Sequence, residues 1–159
     1  MEKRSTWDKF NCEFIEQDVN TISFKDIKTI TSFGFIEHVN DDEEVLKNMY
    51  NMLSEDGVLH IFDLPNKYSI NEFLTRTFNI AQDHENLYTK RMIKNKLKEA
   101  GFKNIEIKRQ YLIPAQLNKV NQTLGNLFDK HYKFIEVLDK ILTIPFGLFV
   151  QTFTIRCTK

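Results

Sequence analysis

The fold is decided by residues 27–63, IKTITSFGFIEHVNDDEEVLKNMYNMLSEDGVLHIFD. This stretch begins with a β-branched, apolar run over 27–33 and closes with a second apolar run over 57–63, both typical of buried strands. Between them, Asn40 can cap a helix with an acidic first turn, and Glu43 can reach back to the cap. The order strand, helix, strand predicts two parallel strands joined by a crossover helix.

The helix predicted between the two runs is amphipathic. Its apolar side chains recur at helical spacing, whereas Lys47, Asn48 and Asn51 fall on the opposite face, so one side of the helix should pack against a sheet. Residues 54–57, Ser-Glu-Asp-Gly, have the composition of a turn and are expected to reverse the chain before the second strand begins.

Further elements are predicted on both sides of this unit. A short strand is expected over 13–18 and a helical excursion over 69–78. Thr89 caps a second clear helix over 90–100, and Gly101 stands where a left-handed residue ends such a helix. The side chains of this helix that should face inward are Met92, Ile93, Leu97 and Ala100.

The last part of the chain has the patterns of two strands with helices between them. Ile105 and Ile107 should face inward on one strand, and a final strand near Phe153 alternates in the same way, which is typical of an antiparallel pair with a polar face. Residues 116–148 are expected to form a helical insertion or cap. The whole chain, 1–159, is predicted to be a single, partial α/β domain.

Composition and charge narrow the class of protein. The 159 residues, 42% of them hydrophobic, suffice for one globular domain, and with 22 basic against 22 acidic side chains no basic stripe for nucleic acid stands out. The longest uncharged run, 141–155, is shorter than the roughly 20 residues that cross a bilayer, and the N-terminus lacks the apolar core of a signal peptide. We therefore expect a cytoplasmic protein without a transmembrane segment and without nucleic acid as a partner. Cys12 and Cys157 suggest neither a disulfide framework nor a zinc site.

The glycines exclude the usual phosphate-binding loops. They lie too far apart to form a G-x-G-x-x-G motif or a Walker loop, at Gly34, Gly57, Gly101, Gly125 and Gly147. The chain therefore has no glycine-rich turn of its own with which to cradle a nucleotide phosphate or to wrap a cofactor.

Four segments, in order along the chain, resemble the class I S-adenosylmethionine-dependent methyltransferases. They are ITSFGFIEHV at 30–39, DDEEVLKNMYNML at 41–53, VLHIFDLPN at 58–66 and HENLYTKRMIKNKLKEAGF at 84–102. The resemblance covers most of the chain from Phe14 onward and weakens through 112–148. It implies a Rossmann-like methyltransferase sheet of strand order 3-2-1-4-5-7-6 and the cofactor S-adenosylmethionine.

The resemblance also assigns roles to individual residues. Asp18 matches the acid that accepts a hydrogen bond from the adenine amino group, with Val19 beside the ring. The alternative is that Asp18 is only a solvated aspartate at the end of the predicted strand. Glu37 and His38 match the E-H pair of the family, and His38 is the best candidate for a general base if the acceptor is a hydroxyl. The alternative is that this pair only orders its loop. The strand end Ser32, Phe33 and Gly34 is assigned to the cofactor. Tyr68, His84 and Tyr88 are assigned to the acceptor pocket. The alternative for each of these three is a plain packing role.

Two departures from the family pattern bear on cofactor and metal binding. The glycine-rich first loop and the second strand, with its ribose-binding acid, have no counterpart in the 17 residues before Asp18, so the sheet is expected to be N-terminally truncated. Quinone O-methyltransferases of this family hold a divalent ion with an E-x-x-E-H pattern, but here Gly34 replaces the first glutamate. The sequence therefore predicts no metal.

Two functions remain open from the sequence. The first is S-adenosylmethionine-dependent methyl transfer to a small-molecule, glycan or lipid-precursor acceptor. The alternative is a truncated, non-catalytic methyltransferase-like protein that binds a partner through an open sheet edge, either as a homo-oligomer or as half of an assembly with a separate chain. In a sheet of the family order, the strand predicted at 27–33 would have an unpaired edge. A partner chain would have to cover that edge, or the strand predicted at 13–18 would have to pair with it directly.

Overall fold

From residue 27 onward, the strands and helices follow the order in which the sequence predicts them. The computed structural model describes residues 12–77, 84–113, 126 and 130–159. The elements are β1 (Ile27–Phe33), α1 (Asp42–Met52), β2 (Leu53–Pro65), α2 (Ile70–Thr77), α3 (Lys90–Ala100), β3 (Lys103–Gln110), α4 (Tyr132–Phe146) and β4 (Thr152–Thr158).

The strands form one mixed sheet in the order β1-β2-β4-β3. β1 and β2 are parallel, with Ile30 opposite Leu59 and Phe33 opposite Phe62, whereas β4 runs antiparallel to both β2 and β3. The predicted parallel first pair and antiparallel last pair are therefore confirmed. Because β4 opposes its two neighbours, β1, β2 and β3 all end at the same edge of the sheet.

The hydrophobic core lies on one face of this sheet. Helices α1 and α3 contact each other and cover that face. Val45 and Leu46 of α1 and Ile93 and Leu97 of α3 are each 0% exposed, together with Leu59 of β2. The helical periodicity of the sequence therefore corresponds to burial in both helices.

The opposite face of the sheet carries aromatic side chains next to β1. Phe33 and Phe62 stack with their ring centroids 4.6 Å apart, and the ring of His60 lies 6.1 Å from that of Phe62. Phe33 is nevertheless 65% exposed. Since the side chains of a strand alternate between faces, these rings lie opposite the core that α1 and α3 cover.

The strand predicted over 13–18 is wrong. In the described part of the chain, residues 12–18 have an exposed, irregular backbone, followed by a turn in which the amides of Thr21 and Ile22 donate to the carbonyl of Asp18. A strand requires a neighbour that accepts its ladder hydrogen bonds, and this segment does not pair with β1. An apolar and polar alternation over six residues is too short to specify a strand without such a neighbour.

Two predicted helix and turn boundaries also differ from the structure. α1 begins one residue later than predicted, because Asp41 rather than Asn40 is its cap and accepts a hydrogen bond from the amide of Glu44 at 2.9 Å. Residues 54–57 do not form a separate turn but lie within β2, where the register with β1 slips between Leu53 and Val58. The extra length is absorbed by a bulge against β1.

The predicted bounds and caps of α3 are confirmed, but one of the side chains predicted to face inward does not. The Thr89 side chain accepts a hydrogen bond from the amide of Met92, and Gly101 adopts a left-handed φ of 111°. Met92, predicted to face inward, is 40% exposed, whereas Leu97 is fully buried. Met92 lies in the first turn of the helix, beyond the stripe that meets α1.

Helix α4 lies at the carboxyl end of β3. The Oδ1 atom of Asp139 accepts hydrogen bonds from the amides of Leu112 and Ile113 at 2.8 and 2.7 Å, which joins the helix to the chain that leaves β3. Residues 116–125 and 127–129 of the predicted insertion lie outside the described residues. The role of 116–148 as an insertion or cap stays a prediction. Among the described helices, none has both the length and the apolar composition needed to cross a membrane.

Truncation of Leu97 tests the core between α1 and α3. Leu97→Ala should lower the free energy of unfolding by about 2 to 5 kcal/mol, because it opens a cavity under a fully buried side chain. Met92→Ala on the same helix is the matched control and should change it by less than about 1 kcal/mol. Urea unfolding followed by circular dichroism gives both values; equal losses would contradict the assignment of the buried face.

Candidate functional site

The carboxyl end of β1 presents three consecutive residues of different character. The Ser32 side chain is 5% exposed, and its Oγ atom has no hydrogen-bond partner among the described residues. Phe33 is 65% exposed. Gly34 has a φ of +50°, and a Cβ atom there would lie 3.7 Å from Oε1 of Glu37. A bound molecule could approach this strand end closely. It would find an unpartnered hydroxyl on Ser32, an exposed ring on Phe33 and no side chain on Gly34.

A short 3₁₀ turn, Ile36–His38, follows and carries the predicted E-H pair. The side chain of Glu37 is only 3% exposed, whereas that of His38 is 45% exposed, and Oε1 of Glu37 lies 3.9 Å from Nε2 of His38. The pair therefore joins a buried carboxylate to an accessible imidazole. Such an arrangement suits proton transfer at the imidazole as well as ligation of a cation.

The segment 84–88 is held against this turn by backbone and side-chain hydrogen bonds. The amide of Asn86 donates to the carbonyl of Glu37 at 3.0 Å. The side-chain amide of Asn86 donates to the carbonyl of Val39 at 2.7 Å. The same segment meets the end of β2, where the amide of Tyr88 donates to the carbonyl of Pro65 at 3.1 Å. Segments far apart in sequence thereby meet at one sheet edge.

This arrangement brings His84 to the E-H pair. The rings of His38 and His84 have centroids 5.6 Å apart. One potential ligand atom from each of Glu37, His38 and His84 lies within 4.8 Å of those of the other two. On its other side, Nδ1 of His84 lies 3.0 Å from Oε1 of Glu72 in α2. The structure thus groups one residue predicted for the acceptor pocket with both predicted catalytic residues.

Tyr88 is placed differently from its predicted role at a pocket. It is 1% exposed, and its hydroxyl donates to Oδ2 of Asp42 at 2.7 Å. Burial, with the hydrogen bond to Asp42, raises the pKa of Tyr88 far above its ordinary value, so the phenol stays protonated and remains a donor. Tyr88 therefore fixes the segment that carries His84 rather than lining an open surface.

Lys96 completes the interactions of this buried tyrosine and aspartate. Its Nζ atom lies 2.8 Å from Oδ1 of Asp42 and 2.6 Å from Oε1 of Glu43. Partial burial alone would lower the pKa of Lys96, but the hydrogen bonds to Asp42 and Glu43 outweigh that effect and raise it above its ordinary value. The ammonium group therefore joins α3 to the start of α1. The sequence gives no sign of this link, because no spacing relates positions 42 and 96.

Asp18 and Val19 lie on the turn that precedes β1. The Oδ1 atom of Asp18 accepts a hydrogen bond from the amide of Asn20 at 2.8 Å, and the carboxylate is exposed. Val19 is partly buried against the core. The side-chain amide of Asn48 donates to the Asn20 side chain at 3.4 Å, which links the turn to α1. The predicted strand-end aspartate is thus a turn residue with one carboxylate oxygen already engaged.

Two concave surfaces lie close to these elements. Tyr68, which is 50% exposed, lines a groove of about 410 Å³ together with Glu72, Phe73 and Arg76. A second cavity, of about 560 Å³, lies between the end of β3 and α4 and is lined by Arg109, Gln110, Tyr111, Ile113, Tyr132, Ile135, Glu136, Asp139, Lys140 and Thr143. Both volumes are in the usual range for small-molecule sites.

Asn66 and Asn86, which were not predicted from the sequence, hold the edge of the site together. Asn66 is 1% exposed, and its side-chain amide donates to the carbonyls of Leu148 and Val150, each at 2.8 Å. Both asparagines stand in segments with the polar composition of loops, which gives no signal of burial. Their importance depends on backbone carbonyls that only the folded chain brings near.

A family model described as a methyltransferase domain matches residues 6–107. The chain belongs to this family of methyltransferase domains, and the resemblance seen in the sequence is confirmed. A search of curated protein sequences finds no match.

Solved methyltransferase structures share the fold. A SAM-dependent methyltransferase from Archaeoglobus fulgidus aligns over 100% of this chain and 73% of its own, at 17% identity and a TM-score of 0.59. A possible histamine N-methyltransferase from Thermotoga maritima aligns over 91% and 62%, at 12% identity and a TM-score of 0.58. A phosphoethanolamine N-methyltransferase from Haemonchus contortus, in complex with S-adenosyl-L-methionine, aligns over 89% and 35%, at 13% identity and a TM-score of 0.51.

These comparisons bear on the predicted fold and cofactor. The α/β, Rossmann-like class is confirmed, and the sheet order β1-β2-β4-β3 corresponds to the 4-5-7-6 half of the expected order. The chain spans between about one third and three quarters of the lengths of these three proteins. S-adenosylmethionine is the cofactor of the methyltransferases that the chain resembles, as predicted.

Removal of the Tyr88 hydroxyl tests its role as a tether. Tyr88→Phe should lower the free energy of unfolding by about 1.5 to 3 kcal/mol, because a hydrogen bond to a buried carboxylate is lost without a replacement. Tyr68→Phe, at a half-exposed position, should change it by less than about 0.5 kcal/mol. Chemical unfolding monitored by fluorescence gives the two values, and an unchanged stability of Tyr88→Phe would show that this hydrogen bond does not hold the segment in place.

Proposed function

We propose that this chain takes part in S-adenosylmethionine-dependent methyl transfer to a small-molecule, glycan or lipid-precursor acceptor. The observation that carries this proposal is that the end of β1, with Ser32 to Gly34, and the Glu37–His38 pair lie together at the carboxyl edge of parallel strands, in a chain that belongs to a methyltransferase family. In open α/β sheets, that edge is where ligands bind.

The cofactor side of the proposal assigns contacts to β1 and the preceding turn. The unpartnered Oγ of Ser32 offers a hydrogen bond, and the exposed ring of Phe33 offers a flat apolar surface. The carboxylate oxygen of Asp18 that does not accept from Asn20 suits an adenine amino group, with Val19 beside the ring. These contacts fit one side of S-adenosylmethionine.

The catalytic side of the proposal assigns the proton to His38. S-adenosylmethionine, when bound, supplies a methyl group on a sulfonium for in-line displacement. A half-exposed His38 accepts the proton that a hydroxyl acceptor releases as its oxygen bonds to the methyl carbon. Glu37, 3.9 Å away, provides negative charge next to the imidazolium that results. Orientation of the acceptor, rather than covalent chemistry, is then the main contribution of the chain.

The groove beside α2 is the proposed acceptor surface. The groove contains Glu72, whose carboxylate also hydrogen-bonds His84. The groove therefore lies next to His84 and its neighbour His38. Tyr68 and Phe73 give it aromatic walls, and Lys67 and Arg76 give it positive charge. We therefore favour an acceptor with an apolar body and a polar or anionic group.

Measurement of methyl transfer tests this function. Because the chain has no glycine-rich loop, its affinity for S-adenosylmethionine should be weaker than micromolar, which corresponds to less than about 8 kcal/mol of binding free energy. Transfer of tritium from methyl-labelled cofactor, at millimolar concentration, to a protein-free metabolite extract should therefore be slow but detectable. His38→Ala should lower that rate by about 10² to 10⁴-fold.

The control for this assay is His131→Ala, because His131 is an exposed residue at the start of α4. Its rate should equal that of the unchanged protein. Absence of transfer from the unchanged protein with every acceptor fraction would contradict the catalytic proposal, as would an unaltered rate in His38→Ala.

A second candidate function, a non-catalytic half of an assembly, is favoured by the free side of β1. Within the described residues β1 pairs only with β2, so one row of its backbone groups has no strand beside it. Phe33 adds an exposed apolar ring at this side, stacked on Phe62. A second polypeptide that adds a strand to β1 would satisfy those groups and cover the ring.

Light scattering on the purified chain distinguishes a monomer from such an assembly. The unchanged protein should self-associate or be poorly soluble, and Phe33→Asp should shift it toward monomer because a charge then lies at the edge. Phe73→Asp is the matched control, since Phe73 is 68% exposed against 65% for Phe33 but lies on α2. A monodisperse, cooperatively unfolding monomer of the unchanged chain would contradict association through this edge.

A further inference from the structure

We infer that helix α4 (Tyr132–Phe146) docks on the surface of an anionic lipid bilayer and lies along that surface. The inference goes beyond the proposed function, and neither its argument nor its test depends on methyl transfer. It rests on how apolar and charged side chains are arranged around α4. Their arrangement is the reverse of the one around a helix that covers a protein core.

The outward side of α4 is an uninterrupted apolar face. At about 100° per residue, five large apolar side chains of the helix fall within one sector of about 120°, and no charged side chain of α4 lies in that sector. Each of the five is at least 37% exposed, and Ile144 is 82% exposed. These side chains, which we call the apolar face of α4, are Phe134, Val137, Leu138, Ile141 and Ile144.

The inward side of α4 is polar. The Oδ1 atom of Asp139 accepts hydrogen bonds from two backbone amides that follow β3, at 2.8 and 2.7 Å. The Oγ1 atom of Thr143 is shielded from solvent, and Glu136 and Lys140 line the cavity at the end of β3. A surface helix of a globular protein normally turns its apolar stripe toward the core and its polar side toward water. Helix α4 does the opposite, so its apolar face is available to an apolar medium outside the molecule.

The length of α4 suits a helix that lies on a bilayer rather than one that crosses it. Its 15 residues are about 22 Å long, less than the roughly 30 Å of a bilayer hydrocarbon core, and four of them are charged. The exposed apolar surface continues beyond the helix, where Leu148 and Phe149 are 57 and 42% exposed. A helix with one apolar face and a charged opposite side lies in the plane of the interface between headgroups and acyl chains.

The charges around the apolar face complement anionic headgroups. Lys133 borders the sector and Lys130 precedes the helix, and both are exposed. Within the described residues neither lysine has a carboxylate partner, whereas both acidic side chains of α4 are engaged, Glu136 by Lys140 and Asp139 by backbone amides. Lysine stems can lie along an apolar surface while their ammonium groups reach the headgroups. The apolar face is thus bordered by available cations, as in helices that bind anionic lipid.

The size of the exposed surface favours a bilayer over a second copy of the chain. A specific protein interface has about 20 to 30 residues on each side. Helix α4 and the residues directly after it present only eight large apolar side chains, which are the five of the apolar face together with Phe146, Leu148 and Phe149. A bilayer requires no matching surface, because a single apolar face enters it by about 5 to 10 Å.

Docking through α4 would bring the carboxyl edge of the sheet near the bilayer. Asp139 joins the helix to the residues that leave β3, and β1 and β2 end at the same edge as β3. The Glu37–His38 pair lies at this edge. Among the acceptors of the proposed function, a lipid precursor would therefore be the one nearest to the docked chain.

Vesicle flotation of the purified chain, without S-adenosylmethionine, tests the inference. The chain should float with vesicles that contain phosphatidylcholine and phosphatidylglycerol in equal amounts. Binding to vesicles of phosphatidylcholine alone should be at least about tenfold weaker, because each of the two lysines contributes about fivefold on an anionic surface. Flotation separates bound protein from self-associated protein, which stays at the bottom of the gradient.

Variants of α4 identify the surface that binds. Phe134→Asp and Ile144→Asp should each weaken binding to the mixed vesicles by at least about tenfold, because each removes an apolar side chain and places a charge in the apolar face. Lys133→Gln should weaken it by about fivefold. The matched control is Met92→Asp, which should leave binding unchanged. Met92 is the third residue of α3, as Phe134 is of α4, and it is also exposed. An aspartate in the first turn suits both helices, so folding should be kept.

Circular dichroism checks the folding of each variant, and Phe134→Ser replaces Phe134→Asp if the latter does not fold. Failure of the unchanged chain to float with the mixed vesicles would overturn the inference, and so would equal binding to both kinds of vesicle or equal losses in Phe134→Asp and Met92→Asp. A shift toward monomer in Phe134→Asp, measured by light scattering without lipid, together with no flotation of the unchanged chain, would assign the face to a second copy instead. The flotation contains neither cofactor nor acceptor, so its outcome is independent of the methyl-transfer assay.

Discussion

The hydrogen bond from the Tyr88 hydroxyl to the buried carboxylate of Asp42 is the interaction on which the rest of the site depends. Asp42 begins α1, Tyr88 precedes α3, and Lys96 of α3 returns to the same carboxylate. Each donor serves a different oxygen of this carboxylate, so loss of either one would leave a buried oxygen atom without a partner, at a desolvation cost. Their contacts join the start of α1 to α3.

The Tyr88–Asp42 hydrogen bond also explains why Glu37, His38 and His84 lie close together. Because Tyr88 is locked in the core and Asn86 is hydrogen-bonded to the turn Ile36–His38, His84 is held beside Glu37 and His38. Catalytic and binding groups are usually placed on loops that a rigid scaffold positions, and here the scaffold is the pair α1 and α3. The segment carrying His84 is therefore held in place beside the Glu37–His38 pair.

The two faces of the sheet differ in what they leave open. The face under α1 and α3 carries the hydrophobic core, whereas the face that carries Phe33 and Phe62 keeps an exposed aromatic surface beside the free side of β1. The proposed methyl transfer and the proposed assembly would therefore involve the same corner of the molecule. A polypeptide that pairs with β1 would also lie next to Ser32 and Gly34, so completion of the sheet and completion of the cofactor site would be one event.

The sequence by itself determined the elements whose signals are local. The β-branched runs of β1 and β2, the helical spacing of α1 and α3, the Thr89 cap and the left-handed Gly101 all depend on neighbours within a few residues, and the structure contains each of them. The family resemblance depended on contiguous motifs and was likewise available without coordinates. Local signals failed at 13–18, where a strand pattern has no partner strand, and at Asn40, where an adjacent Asp41 is the cap.

Only the tertiary structure decided which distant side chains meet. No periodicity relates Tyr88 to Asp42, His84 to Glu37 or Asn66 to the carbonyls of Leu148 and Val150, because these contacts depend on how the sheet edge and the two helices pack. The same packing made Tyr88 a buried tether rather than a pocket residue. The physical reason is that burial and charge pairing are properties of the assembled core, whereas turns, caps and hydrophobic repeats are properties of short stretches of chain.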